Sequence, residues 1–348
     1  MYELKVRASK TYGITVAEDL SLFSERVVPL VKGENIAIIT DDKVNALYGD
    51  ALDGFFRDKR VIKTVIKHGE RSKNAANYLK IINALAESGF TRSDTVIAFG
   101  GGVIGDLAGF AASTYMRGIT LIQVPTTLLA AVDSSVGGKT AIDLNAGKNL
   151  CGTFYQPSAV YINTGFLKTL PVKEIKNGLG EVIKYAFLSD TVTEKDIGNV
   201  NAALICKCLE IKRDIVEKDE KESGERALLN FGHTVGHAIE KLSDYKLSHG
   251  ACIMKGMVYA VEISRRIYGL SDDTVRRMYT LLKSGKHDLK CEYSAESIVR
   301  QISADKKRYG DNINFVAVKD TGKAEIVKIG ISDLKTMITD YESKFKSV

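Results

Sequence analysis

Short β-branched runs alternate with helix-period stretches between residues 36 and 162, and that alternation restricts the N-terminal half of the chain to a parallel sheet covered by helices. The runs lie at 36–39, 61–66, 95–99, 120–124 and 159–162. Between them, Ala75, Leu79, Ile82 and Leu85 recur at helical spacing within 74–88, and a second helix is predicted over 107–116. From about Pro171 the pattern changes to long helical stretches at 174–187, 201–220, 234–242 and 252–267, with little β signal until 313–318 and 325–329. The shift predicts an α/β domain over residues 1–172 and a mainly α-helical domain over 173–348, packed with a cleft between them.

Composition narrows the function classes. With 348 residues and 45% hydrophobic content the chain can bury a substantial core. No stretch approaches the roughly 18 apolar residues of a membrane helix, and the start MYELKVRASK has no apolar signal core, so a cytoplasmic protein with no membrane partner is expected. Cys151, Cys206, Cys208, Cys252 and Cys291 form no CxxC pair, which disfavours a disulfide framework or a cysteine zinc site. The net charge of +6 is spread along the chain without a basic block, so a small anionic substrate fits better than nucleic acid.

The run Gly100-Gly101-Gly102-Val103-Ile104-Gly105-Asp106 leaves a predicted strand, enters a helix and fits G-x-G-x-x-G. Such glycines let a backbone approach a pyrophosphate at a helix N-terminus, where N–H groups and the helix dipole favour negative charge. The usual fingerprint follows the first strand, with an acidic residue about 20 residues later for the ribose. Here the loop is read as following the third strand, and the carboxylates suited to a ribose come earlier, as Asp41 at the end of the first strand and Glu70 with Lys73 after the second. A variant nucleotide fold is the functional reading; a tight strand-to-helix turn that binds nothing is the bland one.

Only five histidines occur, and His233, His237 and His249 fall within seventeen residues. His233 and His237 share a helical face, but His-Thr-Val-Gly-His lacks the glutamate of a zinc peptidase. Glu181 and Lys184 also share a face, and a carboxylate beside two histidines makes a reasonable catalytic metal set with an open position. Singly, each of these residues reads more simply as a surface charge or a hydrogen-bonded core histidine. Gly137-Gly138-Lys139-Thr140 imitates the end of a P-loop, yet Asp133 stands where that motif needs glycine. Lys139, Lys148, Arg117, Lys184, Lys212 and Arg226 exceed what a neutral polyol would need and suggest a phosphate, although any one of them could be a solvated surface charge.

Taken together, GGGVIGDLAGF, YMRG, QVPTTLLAAVDSSVGGKTAID, GKN, FYQP, FLKTLP, GLGEVIKYA, LLNFGHTVGHAIE and HG, in that order from about Asp41 to Phe315, closely resemble the 3-dehydroquinate synthase family of sugar phosphate cyclases. The resemblance implies an N-terminal NAD-binding α/β domain, a C-terminal mainly helical metal-binding domain, and an active site between them. It implies one divalent metal, zinc or cobalt, on Glu181, His233 and His249, with His237 moved to the substrate side. NAD contacts fall on Asp41, Glu70, Lys73, Gly101, Gly102, Val103, Asp106, Thr126, Thr127, Asp133, Lys139, Lys148, Phe166 and Thr169. Lys139, Lys148, Asn149, Lys184, Asn230 and His237 line the substrate site, and Lys212 with Arg226 grip its carboxylate. Arg117 reaches the phosphate of a neighbouring subunit, implying a homodimer, and a further phosphate lysine belongs to Asp305-Lys306-Lys307.

The implied reaction is a step of the shikimate pathway toward chorismate and the aromatic amino acids. The C5 alcohol of 3-deoxy-D-arabino-heptulosonate 7-phosphate gives hydride to NAD, phosphate leaves by β-elimination, hydride returns, and the opened ring closes by an aldol step to 3-dehydroquinate. One departure stands out. The family usually continues His-Gly-Glu-Ala after its last metal ligand, whereas this chain reads His249-Gly250-Ala251-Cys252, which puts the outer partner of His249 in doubt. The competing readings are a related cyclase acting on glucose 6-phosphate or sedoheptulose 7-phosphate, a metal- and NAD-dependent polyol dehydrogenase, and an inactive sugar-phosphate-binding scaffold. Lys212 and Arg226 favour a substrate bearing a carboxylate.

Overall fold

The structure, a computed structural model, describes residues 1–306 and 312–345. The chain forms two compact units, Met1–Pro171 with Asn201–Glu220, and Val172–Val200 with Lys221–Val348.

The first unit is built on a seven-stranded sheet. Its strands, in chain order, are β1 (Tyr2–Arg7), β2 (Thr11–Ala17), β3 (Asn35–Asp41), β4 (Arg60–Ile66), β5 (Thr95–Gly100), β6 (Thr120–Pro125) and β9 (Ala159–Asn163), while β7 (Lys139–Leu144) and β8 (Gly147–Phe154) pair separately as a hairpin. The spatial order is β1-β2-β9-β6-β5-β3-β4, and only the edge pair β1–β2 is antiparallel. All five strand runs expected between 36 and 162 are present. The N-terminal pair precedes them, so the glycine loop follows the fifth strand of the chain rather than the third, and Asp41 ends the third rather than the first.

Side chains alternate across this sheet with period 2, and both faces are buried. Ala37, Ile39, Val96, Ala98 and Leu121 face the helices α3 (Ala75–Glu87) and α4 (Gly102–Thr114), meeting Ile81, Leu85, Leu107 and Ala111. Ile36, Ile38, Ile97, Phe99, Ile122 and Tyr161 face the other way, onto Phe56, Phe166 and Phe23 of the short helix α1 (Phe23–Arg26). The helix α2 (Asp42–Tyr48) leaves β3 directly. β3 is followed in chain order by β4 on one side and flanked by β5 on the other, so the order of strands reverses between β3 and β5. That reversal opens a crevice beyond the C-terminal ends of the strands, the usual ligand position of such a sheet.

The second unit starts with α5 (Val172–Leu188) and α6 (Glu194–Ile197). The chain then returns to the first unit as α7 (Ala202–Lys218), whose end is tied there by Glu217 accepting the Arg7 backbone N–H at 2.6 Å and by Glu220 accepting from Ser9 N at 2.7 Å. A single boundary at residue 172 therefore leaves out this excursion, which no local sequence signal marks. The remaining elements are α8 (His233–Leu242), α9 (His249–Tyr268), α10 (Asp272–Ser284), α11 (Ala295–Lys306), the antiparallel pair β10 (Asn312–Asp320) and β11 (Lys323–Gly330), and α12 (Ile331–Phe345). No helix among the described residues is long and apolar enough to cross a membrane.

Glycines set how closely the helices of the second unit approach. A Cβ on Gly180 of α5 would lie 2.7 Å from the Gly250 backbone of α9, and one on Gly236 of α8 would lie 2.8 Å from Ile253 Cδ1 of α9. Gly232, at φ +76°, makes the left-handed entry into α8 that few other residues adopt. These contacts bring one residue from each of three helices to a common point.

Candidate active site: a nucleotide crevice and a metal centre

In the first unit, β5 runs out at Gly100 and α4 begins at Gly102, with Gly101 as an N-cap that makes no side-chain cap bond. The first N–H groups of α4, on Gly102 and Val103, thus face the crevice without a capping side chain, as an anion requires. The helix starts five residues earlier than 107, inside the glycine run. The close packing explains the glycines: a Cβ on Gly101 would come within 3.0 Å of Thr127 Cγ2, and one on Gly102 within 2.9 Å of Ser134 Oγ. Thr126 donates its N–H to Gly100 O at 3.0 Å, and Thr127 Oγ1 accepts from Ala130 N at 3.2 Å. The residues at this end of the sheet therefore fit a dinucleotide.

Asp41 lies at the mouth of the crevice as the N-cap of α2, with Oδ1 accepting from Lys43 N and Val44 N at 2.9 and 3.0 Å. Phe166 is buried between Tyr48 and Phe99, with ring centroids 4.7 and 5.4 Å away, and Thr169 Oγ1 lies 2.6 Å from the Tyr48 hydroxyl. Asp133 carries an ion pair with Lys212 Nζ at 3.1 Å, joining one expected NAD residue to one expected substrate residue. Lys139 is exposed at the start of β7, and Arg117 is exposed at φ +67° in the turn after α4.

Lys73 is buried and lies 3.0 Å from Glu70 Oε1 and 3.2 Å from Asp106 Oδ2. Burial discourages its charge, but Asp106, Glu70 and Asp143 together outweigh this and raise its pKa. For Asp106 the balance is reversed: burial pushes the carboxyl up to about 6 against the pull of Lys73. An acid raised in this way favours the folded state most at low pH, and that contribution is lost as pH rises through about 6. Asp106→Asn also removes the carboxylate 3.2 Å from the buried Lys73 ammonium, so it is expected to lower the melting temperature of NAD-free protein by roughly 2–4 °C at pH 8, and by less at pH 5, where Asp106 is itself largely protonated. Thermal scans at the two pH values check this; a gain at pH 8, or equal losses at both, would contradict it.

In the second unit, Glu181 of α5, His233 at the start of α8 and His249 at the start of α9 converge, with one ligand atom from each lying within 4.8 Å of the others. Glu181 Oε1 is 3.0 Å from His249 Nε2 and 3.5 Å from His233 Nε2. His233 Nδ1 lies 3.0 Å from Phe231 O; a carbonyl only accepts, so Nδ1 carries the proton and Nε2 presents its lone pair to Glu181. Burial lowers the pKa of His233 to about 3, so the ring stays neutral as a ligand must. For His249 burial acts the same way, but hydrogen bonding to Glu181 and Glu240 outweighs it and raises the pKa to about 10. A cation binding to these residues would displace that proton. One carboxylate oxygen and two imidazole nitrogens suit a borderline divalent cation such as zinc or cobalt, so the donor set fits.

Lys184 is buried one turn along α5, its Nζ 2.5 Å from Glu181 Oε2 and 4.7 Å from the Tyr185 ring centroid. His237 is exposed, with its ring 5.1 Å from His233 and 5.9 Å from His249. Arg226 is buried in the turn Glu225–Asn230, and Asn230 Nδ2 donates to Glu222 Oε1 at 2.7 Å. Lys307 lies outside the described residues, as does the side chain of Lys306.

Glu240 was not read from the sequence as part of this centre. Its buried carboxylate stands 3.7 Å from His249 Nδ1, on the opposite side of the ring from Glu181. It gives His249 an outer carboxylate from α8 that does not depend on position 251. The available signal was spacing: Glu240 is seven residues after His233 and three after His237, on the same face of α8. Asn177 of α5 adds a second tie, its Oδ1 accepting from Gly250 N at 2.7 Å.

A nucleotide crevice on a doubly wound sheet, with a carboxylate and two histidines on a mainly helical unit, suits a metal- and nucleotide-dependent sugar phosphate cyclase. The 3-dehydroquinate synthase N-terminal family matches residues 63–177 and the 3-dehydroquinate synthase C-terminal family residues 178–308. The chain is 43% identical over 318 residues to 3-dehydroquinate synthase of Clostridium acetobutylicum, covering 88% of this chain and 89% of that one. It is 41% identical over 339 residues to the enzyme of Clostridium kluyveri, covering 93% and 94%. Among solved structures, it superposes on 2-deoxy-scyllo-inosose synthase, crystallised with carbaglucose-6-phosphate, NAD+ and Co2+, with a TM-score of 0.88 and 27% identity over 97% of this chain and 99% of that one. The fold is also that of 2-epi-5-epi-valiolone synthase from Streptomyces hygroscopicus, with a TM-score of 0.86, 21% identity, and 98% and 99% coverage. The chain belongs to the 3-dehydroquinate synthase family.

Proposed function

We propose that this chain is the phosphate-eliminating cyclase of the shikimate pathway, converting 3-deoxy-D-arabino-heptulosonate 7-phosphate to 3-dehydroquinate and phosphate. The observation that carries the reading is the convergence of Glu181, His233 and His249 beside the buried Lys184, in a chain of this family. NAD and a divalent metal, zinc or cobalt, supply when bound a temporary hydride acceptor and a Lewis acid for the reacting hydroxyl. Glu181, His233 and His249 would hold the metal, and the crevice residues named above, from Asp41 to Thr169, would hold the nucleotide.

The chain's own residues then do the positioning. Lys139, Lys148, Asn149 and Lys184 hold the substrate with fixed donors, and cations near the departing phosphate stabilise charge where it develops. Lys212 and Arg226 take the substrate carboxylate, for which an arginine offers a two-pronged fit. His237 and Asn230 serve the sugar hydroxyls. No added base is needed if a phosphate oxygen of the substrate accepts the proton during elimination. Arg117, exposed after α4, serves the phosphate in a neighbouring subunit of a homodimer, and a cytoplasmic location fits a reaction that consumes a sugar phosphate and regenerates its NAD.

The test is to supply metal-loaded protein with the heptulosonate phosphate and catalytic NAD, and with glucose 6-phosphate and sedoheptulose 7-phosphate in parallel. Equimolar phosphate and dehydroquinate from the first substrate alone is the expected result. Phosphate release from a substrate without a carboxylate would identify a different cyclase. Accumulating NADH from a simple polyol would identify a dehydrogenase.

A further inference from the structure

Asp143, near the end of β7, has no role in the reading above, yet it sits where the nucleotide turn meets the hairpin that carries Lys148 and Asn149. Its backbone N–H donates to Lys73 O at 2.7 Å, and an isolated parallel bridge pairs Asp143 with Asn74. Its Oδ1 accepts the Asn149 backbone N–H at 2.9 Å and lies 3.8 Å from Lys73 Nζ. Asn149 has φ +56°, a left-handed conformation that non-glycine residues adopt only where surrounding contacts hold them. The adjacent Lys148 Nζ is 3.5 Å from Glu70 Oε1, the same oxygen that lies 3.0 Å from Lys73 Nζ. Three negative groups, Glu70, Asp106 and Asp143, thus enclose two positive ones, Lys73 and Lys148, across three separate segments of the first unit.

We propose that Asp143 is a positioning residue that fixes the β7–β8 hairpin against the nucleotide turn, holding Asn149 in its left-handed conformation and Lys148 beside Glu70. A hairpin whose β8 residues are mostly exposed has little core of its own to define its tip, so a side-chain anchor must supply the register there. The irregular pairing at Leu144↔Gly147, after Ile142↔Cys151, places the loosened part of the ladder beside Asp143. The carboxylate does two separable things: one oxygen accepts a backbone hydrogen bond, and its charge faces Lys73.

Part of this inference rests on Lys148 and Asn149 serving the substrate, so the experiment includes a readout independent of turnover. Asp143→Ala removes both the acceptor and the charge, whereas Asp143→Asn keeps an oxygen for the Asn149 N–H. In the full-length protein, amide exchange in a peptide spanning residues 146–152 is expected to accelerate at least fivefold in Asp143→Ala and less than twofold in Asp143→Asn, with the metal content of both unchanged. KM for the heptulosonate phosphate should rise at least tenfold in Asp143→Ala and return to within threefold of the parent in Asp143→Asn. Unchanged exchange in Asp143→Ala, or equal damage from both variants, would overturn the anchoring role. If the exchange pattern appears but the parent protein releases no phosphate, the anchor stands and the proposed function fails.

Discussion

Glu181→Ala is expected to leave the protein unable to retain a divalent metal through gel filtration, while Lys139→Ala retains it at the parent level. Glu181 Oε1 is the oxygen common to both imidazoles, at 3.0 and 3.5 Å, so its removal takes the only carboxylate from the three-residue set and leaves two nitrogens. Sharing the binding free energy of a four-ligand protein zinc site among its ligands gives roughly 2.5–4 kcal/mol each, or about two to three orders of magnitude in affinity. The same change removes the carboxylate 2.5 Å from the buried Lys184 ammonium, so the melting temperature should fall as well. Lys139 is exposed on β7 in the other unit and offers no such loss. Metal analysis of the purified variants decides the matter, and equal occupancy in both would sink the ligand assignment. Glu181→Gln, which keeps size and one oxygen, separates loss of charge from collapse of the helix contact.

The second large effect is expected at Glu240, which touches no substrate in the proposed scheme. Its Oε2 lies 3.7 Å from His249 Nδ1, so it faces the N–H of that ring when Nε2 is offered to a metal. Outer carboxylates of this kind fix the tautomer and raise the basicity of the ligand, and their loss typically costs 10–100-fold in metal affinity. Glu240→Gln should therefore weaken zinc or cobalt binding by roughly that factor while leaving NAD affinity unchanged. Competition with a chelating dye measures the first and calorimetry the second. Parent-like metal affinity in a folded Glu240→Gln protein would show that Glu240 is not an outer partner of His249.

Much of the fold could be read along the chain because its signals are local. The strands of the parallel sheet are short apolar runs, and the helices of the second unit keep a 3.6-residue period that does not depend on partners. The glycine run and the histidine cluster were legible for the same reason, since both lie within single segments. β1, β2 and the β7–β8 hairpin were not. Tyr2–Arg7 mixes charges into an edge strand, and Gly147–Phe154 is mostly exposed, so neither carries a hydrophobic pattern that reports its pairing.

The sequence by itself determined that this chain pairs a nucleotide-type glycine turn with a histidine and carboxylate cluster, because each is a matter of residue type and near spacing. Which groups meet was decided only by the tertiary structure. Glu181 and His249 are far apart in the chain and reach 3.0 Å because the glycines at 180 and 250 let two helices touch. Glu240 and Asp143 acquired roles only once other segments arrived beside them, and α7 joined the first unit through contacts with the chain's own N-terminus. Hydrophobic periodicity reports which face of an element is buried, but not which polar group waits on the element packed against it.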